Sequence, residues 1–445
     1  MGFTNCLLST QVPSPPMPAP TLSTPTTSGN QAFSSSFDVA RIREDFPALH
    51  QQVNGQPLIY LDSAASCHKP HVLVERLQQL YLEQYAKPQE NHPMSVAITE
   101  QLENTRQQVA DLINCSKDEV VFVRGCTEGI NLIATCLERA ILQPGDEVII
   151  TMMAHHSNYL PWEMACNQTK ANLKVLPITA SGEIDLNQLQ DAITDNTRLI
   201  AVEHSSHVLG TINPIKQIVE MAHQRGIPVL VDGAQAAPHM PVDMQELGCD
   251  FYTFSGHKMG GPSGVGVLYG HKQWLDKLPP YQLGEEMVDK VSITRTPSTR
   301  ESSFKSAPQR FEGGTQAFVE IIAFSSVIDY LRSIGRQESA DYEQALLEYA
   351  LGKMEAVDRV QIIGSAPEKE PLISFTLDGI EAKKAESWFN ENTGIALRAG
   401  ELSAQPLMKS LGLEGVLRIS LSFFNTPQEI DQFMAALDEC IRAKG

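Results

Sequence analysis

The sequence predicts an α/β fold: a large domain on a mostly parallel sheet, joined to a smaller α+β domain. Three observations predict it. From about residue 119 to 270, short β-branched and aromatic runs alternate with amphipathic stretches, the order that lays crossover helices over parallel strands. Two of those runs, at 227–231 and 250–254, stop at Asp232 and at Ser255-Gly-His-Lys258. Apolar runs that stop at polar residues read as buried strands whose C-terminal ends carry side chains to a sheet rim. Past about residue 300, helical patterns alternate with strand runs at 372–377 and 417–421, which make the second unit.

Taken in order, residues 1–36 read as a disordered leader rich in Ser, Thr and Pro, because such a composition buries too little apolar surface to offset its ordering entropy. It has no basic stretch followed by an apolar core, so no secretory signal is expected. Met1-Gly2 suggests myristoylation, yet position 6 is Cys where Ser or Thr is wanted. The globular pattern begins at Phe37, with a short helix at 36–43, a strand at 57–61 and helices at 72–85 and 96–113. A strand at 119–123 runs into Arg124-Gly-Cys-Thr-Glu-Gly129 and then a helix at 130–142. Further strands are expected at 147–151, 173–176, 199–203 and 228–231. Gly260-Gly-Pro-Ser-Gly264 marks either a tight backbone path beside a bound group or a plain turn. A polar loop at 294–303 and Phe311-Glu-Gly-Gly-Thr315 precede a helix at 318–334. The expected division is therefore a leader at 1–36, a large domain at 60–300, and a small domain from 37–59 plus 301–445.

Composition narrows the function classes. With 42% hydrophobic and 20% charged residues the chain matches a soluble globular protein. A formal charge of −19 disfavours a broad nucleic-acid or anionic-membrane surface, so neither partner is expected. No apolar run is long enough to span a bilayer. Cys6, Cys67, Cys115, Cys126, Cys136, Cys166, Cys249 and Cys440 form no CxxC pair and no metal-ligand spacing. Reduced thiols in a cytoplasmic protein, with no metal site, are the expectation.

The chemistry-bearing residues lie at strand ends. An acid at 232 and an amine at 258 aimed at one pocket are what pyridoxal 5′-phosphate needs: a Schiff-base lysine, and a carboxylate that keeps the pyridine nitrogen protonated. The competing reading is an exposed lysine and a helix-capping Asp. The strand–turn–helix passage around Thr127 offers a helix N-terminus to a phosphate, or is a capped turn with no ligand. His155 and His156 follow the strand at 147–151, where one could stack on a flat ring or move protons; adjacent histidines are otherwise often surface residues.

Several stretches together carry a resemblance: YLDSAAS at 60–66, RGCTEGIN at 124–131, HHSNYLPW at 155–162, VDGAQAAPH at 231–239, FSGHK at 254–258, FEGGT at 311–315 and RAGELSAQPLM at 398–408. From about 37 to 440 the chain resembles the group II cysteine desulfurases and selenocysteine lyases, within the class V aminotransferase group of fold-type I pyridoxal-phosphate enzymes. The resemblance implies that Lys258 forms the Schiff base, Asp232 holds the pyridinium nitrogen and Gln235 bonds the ring oxygen. It also implies that His155 stacks on the ring, and that Thr127, Ser255 and His257 cradle the phosphate beside Cys126. Thr315 would join them from a partner subunit, so a homodimer with a shared site is expected. Arg398 would pair with the carboxylate of a small amino-acid substrate, a task suited to its planar fork.

The departures bear on the reaction. Where the family carries a catalytic cysteine in a run like RAGHHCAQPL, this chain has Ser403, preceded by Glu401 and Leu402. A serine hydroxyl is barely ionised at neutral pH and cannot hold a persulfide. His207 stands where an Asn is expected, Glu285 replaces a glycine, and the segment 88–92 lacks an arginine. The substrate-side set is thus Arg398, His207 and Ser403. The leading expectation is lyase- or aminotransferase-type chemistry on a small amino acid without a persulfide relay. Two further readings stay open: a cysteine desulfurase using another thiol, with Cys126 and Cys67 as candidates, and a catalytically silent cofactor-binding partner.

Overall fold

The computed structural model describes residues 37–292 and 302–445; the predicted leader and most of the 294–303 loop lie outside these described residues. The central sheet has seven strands: β1 Val120–Val123, β2 Glu147–Thr151, β3 Asn172–Leu176, β4 Thr197–Glu203, β5 Val229–Asp232, β6 Phe251–Ser255 and β7 Gly266–Gly270. Their order across the sheet is β1-β7-β6-β5-β4-β2-β3. β7 is antiparallel to both its neighbours, and every other pairing is parallel. The expected mostly parallel sheet is thereby present. β1, β5, β6 and β7 are buried along their whole length, as strands covered on both faces must be.

Helix α1 (His71–Glu83), α2 (Pro93–Leu112), α3 (Cys126–Ala140) and α4 (Leu160–Thr169) belong to this unit. α3 turns Ile130, Ile133 and Leu137 into a core shared with Val148, Ile150 and Trp162. The Trp162 indole is fully buried and gives its N–H to Asn158 Oδ1 at 2.9 Å, so its one polar atom is satisfied. α5 (Phe318–Ile334) is apolar nearly all round and buries Phe318, Ile321, Phe324 and Ile328, as a helix covered on several sides must; it packs against α1 and α2.

A second, antiparallel sheet contains β8 Val360–Ile363, β9 Leu372–Leu377, β10 Arg398–Gly400 and β11 Val416–Ser420, in the order β8-β9-β11-β10. α6 (Ala382–Asn392) and the C-terminal α7 (Pro427–Lys444) accompany it. α7 opens on a capping box between Thr426 and Glu429. The segment after Phe37 is knit into this region. Ile59–Tyr60 pairs in parallel with Ile395–Ala396, and the Phe46 ring packs on Phe423 and Phe424.

Two local expectations need correction. The strand expected at 57–61 is divided into Gln56–Pro57, which pairs back on Gln52–Val53, and Ile59–Tyr60. Asn54 and Gly55 take the left-handed conformations a tight hairpin turn requires, and Pro57 has no N–H for a longer ladder. The helix expected at 130–142 starts four residues earlier, at Cys126. Its first turn is small and polar, so the apolar periodicity begins only at Ile130.

Candidate active site

At the C-terminal ends of β5 and β6, with contributions from β10 and β11, lies a cavity of about 220 Å³. Every residue of the expected cofactor and substrate sets lines it except Thr315. Thr315 sits in another hollow, with Arg124, Glu128 and Tyr281.

Asp232 closes β5. Its Oδ1 accepts from the Ala234 N–H at 3.0 Å and the Cys126 thiol at 3.1 Å. Gly233 gives the chain its turn there: a Cβ would stand 2.1 Å from the Tyr252 ring. Lys258 lies in the 3-10 turn Gly256–Met259 that follows β6. Burial pushes its ammonium below the ordinary lysine range, Arg418 and Arg398 push the same way, and Asp232 opposes them.

Ser255 Oγ accepts the Cys126 N–H at 2.9 Å, which ties β6 to the start of α3. The Thr127 and Ser157 hydroxyls are 2.8 Å apart. His257 Nδ1 lies 3.2 Å from Ser66 Oγ, and burial pushes this imidazole down to about 4. These groups gather at the N-terminus of a fifteen-residue helix, where a phosphate is favoured by free N–H groups and the dipole. The close approach depends on Gly266, since a Cβ there would meet Gly125 Cα at 2.4 Å.

Gln235 gives one N–H to the Ala64 carbonyl at 2.9 Å, and its buried Oε1 has no partner among the described residues. His155 Nδ1 accepts the Ser157 N–H at 3.0 Å, so Nε2 carries the proton; burial pushes the ring down to about 4 and keeps it neutral. His207 packs edge-on against it, with centroids 4.8 Å apart. Its Nε2 donates to the Leu402 carbonyl at 2.7 Å, and burial holds it well below the usual imidazole range.

That bond reaches the segment carrying Ser403. Leu402 and Ser403 both have left-handed φ, 53° and 59°, which costs free energy for residues with a Cβ. The turn is also held by the His156 N–H on the Ser403 carbonyl at 2.9 Å.

Sequence reasoning missed two charged lining residues. Arg418, on β11, is 3% exposed; it gives Nη2 to Asp62 at 2.9 Å and Nη1 to the His207 carbonyl at 2.9 Å. It lies inside a predicted strand, and no one-dimensional signal marks it. Glu203 ends β4. The same pattern that drew attention to Asp232, an apolar run stopping at an acid, was present at 199–203 and could have found it.

The two candidate alternative thiols differ in place but not in state. Cys126 lines the cavity, donates to Asp232, and is raised well above the usual thiol range by burial and that carboxylate. Cys67 lies off the cavity, and burial raises it to about 12. Neither presents a thiolate at neutral pH.

The residues present fit pyridoxal phosphate. A buried amine and a carboxylate face one cavity, Gln235 has an amide oxygen and an N–H to spare, and an anion cradle opens at a helix start.

Known proteins bear on the same region. The aminotransferase class-V family profile matches residues 59–433. A cysteine desulfurase of Yersinia pseudotuberculosis is 42% identical over 412 residues, covering 92% of this chain and all of that protein. Among solved structures, the cysteine desulfurase CsdA from Escherichia coli superposes with a TM-score of 0.84 at 34% identity, covering 92% of this chain and 100% of its own. A cysteine desulfurase from Thermococcus onnurineus gives a TM-score of 0.84 at 29% identity, covering 91% and 98%.

Proposed function

Because the chain belongs to the aminotransferase class-V family of pyridoxal-phosphate enzymes, we propose that it is a cysteine desulfurase, converting L-cysteine to L-alanine and passing sulfur to a thiol other than residue 403. One observation carries the reading. An intact cofactor-type cavity around Lys258 and Asp232 occurs in a chain 42% identical, over 92% of its length, to a cysteine desulfurase.

Bound pyridoxal phosphate supplies an electron sink for charge developing at the substrate's α-carbon. The roles of the protein follow from its own groups. Lys258 anchors the cofactor and then moves a proton at Nζ, which burial holds ready to lose one. Asp232 would hold the ring nitrogen, and Gln235, with an N–H to spare, would bond the ring oxygen. Thr127, Ser255 and His257 would hold the phosphate. Neutral His155 would stack on the ring. Arg398 forks onto the substrate carboxylate, and buried Arg418, anchored by Asp62 at 2.9 Å, adds fixed positive charge behind it.

The reaction balances as cysteine plus an acceptor thiol giving alanine plus a persulfide. The C–S bond breaks, an S–S bond forms, and the thiol proton ends on carbon. Ser403 cannot be that acceptor. The cavity is read as lying between a large domain at 60–300 and a small domain from 37–59 plus 301–445. Thr315, off its own chain's cavity, is read as serving the cavity of a second copy in a homodimer.

The protonated state of Cys126 and Cys67 favours a second reading, elimination of the sulfur group without a persulfide. One assay separates the two. L-cysteine is supplied with and without a small thiol, and alanine, pyruvate and sulfide are measured, with Lys258→Ala as the blank. Thiol-dependent alanine supports desulfuration and pyruvate supports elimination. Neither product from the cofactor-loaded protein would remove both readings.

A further inference from the structure

Strands β2, β4 and β5 are neighbours, and each stops at a polar residue: Thr151, Glu203 and Asp232. Glu203 and Asp232 are direct register partners in the parallel ladder, so their side chains leave the same face of the sheet side by side. Both line the cavity. β4 lies on the side of β5 away from β6 and Ser255, so Glu203 flanks Asp232 opposite the anion cradle.

The Glu203 carboxyl is 3% exposed. One oxygen accepts the Thr151 hydroxyl, while Oε2 is buried with no partner among the described residues. Buried polar atoms are nearly always paired, so an unpartnered carboxyl oxygen in a cavity wall points to a bound group that completes it.

We propose that Glu203 is a further positioning residue of the site: a second carboxyl group that works through Asp232 to set the charge beside the bound cofactor's ring. The inference rests on the cofactor reading above. Two adjacent carboxyls in a dry cavity do not ionise independently. Asp232 Oδ1 accepts an N–H from Ala234 and the S–H of Cys126. Glu203 has the Thr151 hydroxyl as its side-chain donor, and burial, reinforced by Asp232, pushes it up to about 7. Below neutral pH it is a neutral hydrogen-bond donor; above, it adds a second negative charge beside Asp232.

The imidazoles and the thiol facing this cavity do not mimic that change: His155, after β2, and His257, after β6, sit at about 4, His207, after β4, lies well below the imidazole range, and Cys126 is raised well above the usual thiol range. Lys258, after β6, is pushed below the ordinary lysine range by burial and is the residue the cofactor would take up, while Arg418, on β11, is the buried cation facing the cavity.

The test follows the visible absorption of the cofactor-loaded protein from pH 5.5 to 9, roughly two units around neutrality. Wild type is expected to show a spectral change near neutral pH that Glu203→Gln lacks, with cofactor affinity kept within about threefold, because the amide copies the neutral acid. Thr151→Val, which leaves the cavity wall in place, is expected to move the midpoint upward by about one pH unit, since it removes the side-chain donor to the charged form. An identical pH profile in Glu203→Gln, or an unmoved midpoint in Thr151→Val, overturns the assignment. A wild-type protein with no visible band, indistinguishable from Lys258→Ala, instead overturns the cofactor reading on which it rests.

Discussion

Ser403 is where the residue scale decides between chemistries. Its carbonyl is pinned by His156 and its neighbour's by His207, so the segment is a fixed wall of the cavity. A thiol placed there would stand at the cavity edge in a pre-set position. Ser403→Cys is therefore expected to raise alanine formation from L-cysteine without added thiol by about tenfold or more, given the gap in nucleophilicity between thiolate and hydroxyl. Trapping the persulfide on residue 403 checks it; unchanged turnover with a folded variant counts against the placement. Glu203 makes a second prediction, on stability. Its carboxyl is raised from 4.5 to about 7 by burial, so between those values the folded chain holds a proton that the unfolded chain has lost. Stability from this group is complete below about 4.5 and is lost as pH rises to about 7, then levels off. The loss has a ceiling of about 3 kcal/mol. His155 and His257, pushed down to about 4, act in the opposite sense, because the unfolded chain binds the extra proton. The effect is thus read as the difference between wild type and Glu203→Gln in denaturant midpoints at acid and mildly alkaline pH. A difference that does not grow with pH removes it.

Elements meet the site through close backbone approaches. β7 and the start of α3 touch where Gly266 faces Gly125, leaving 2.4 Å to any added Cβ. Gly266→Ala must push the α3 N-terminus away from Ser255, whose Oγ holds the Cys126 N–H at 2.9 Å. The expected result is a loss of cofactor affinity of about tenfold or more, by analogy with other 1 Å misplacements at sites, with helix content unchanged by circular dichroism. Equal affinity in the variant would mean that the cradle tolerates the shift. This contact could not be read from the sequence, because it joins residues far apart along the chain. What could be read were strand ends. Period and β-branched runs placed β2 and β9 without error and put Asp232 and Lys258 at one rim, since a buried strand tolerates polarity only where it stops. The start of α3 was misplaced because Thr127, Glu128 and Gly129 carry no apolar period. Arg418 was missed because a buried charge inside a strand looks, in one dimension, like an exposed one.

Across the whole molecule, the feature that local patterns leave unexplained is a stripe of exposed apolar side chains on and just beyond α1: Val74 at 57%, Tyr81 at 51%, Leu82 at 74% and Tyr85 at 54%. Their spacing puts them on adjacent turns of one face, and an exposed apolar patch of this kind marks an interaction surface. Thr315 lies off the cavity that its motif suggests it should serve. A second copy of the chain would answer both facts, covering the stripe and lending Thr315 to its neighbour. The chain is 49.0 kDa, and sedimentation is expected to give about twice that mass, the commonest closed assembly being a two-fold dimer. Replacing Leu82 and Tyr85 together by Glu is expected to yield monomers with reduced cofactor retention. Thr315→Ala is expected to leave the dimer intact and weaken cofactor binding by about ten- to a hundredfold, the worth of one hydrogen bond to a charged group. The two variants separate assembly from site completion. A monomer that holds the cofactor as tightly as wild type would break the link between them and leave Thr315 a residue of the surface.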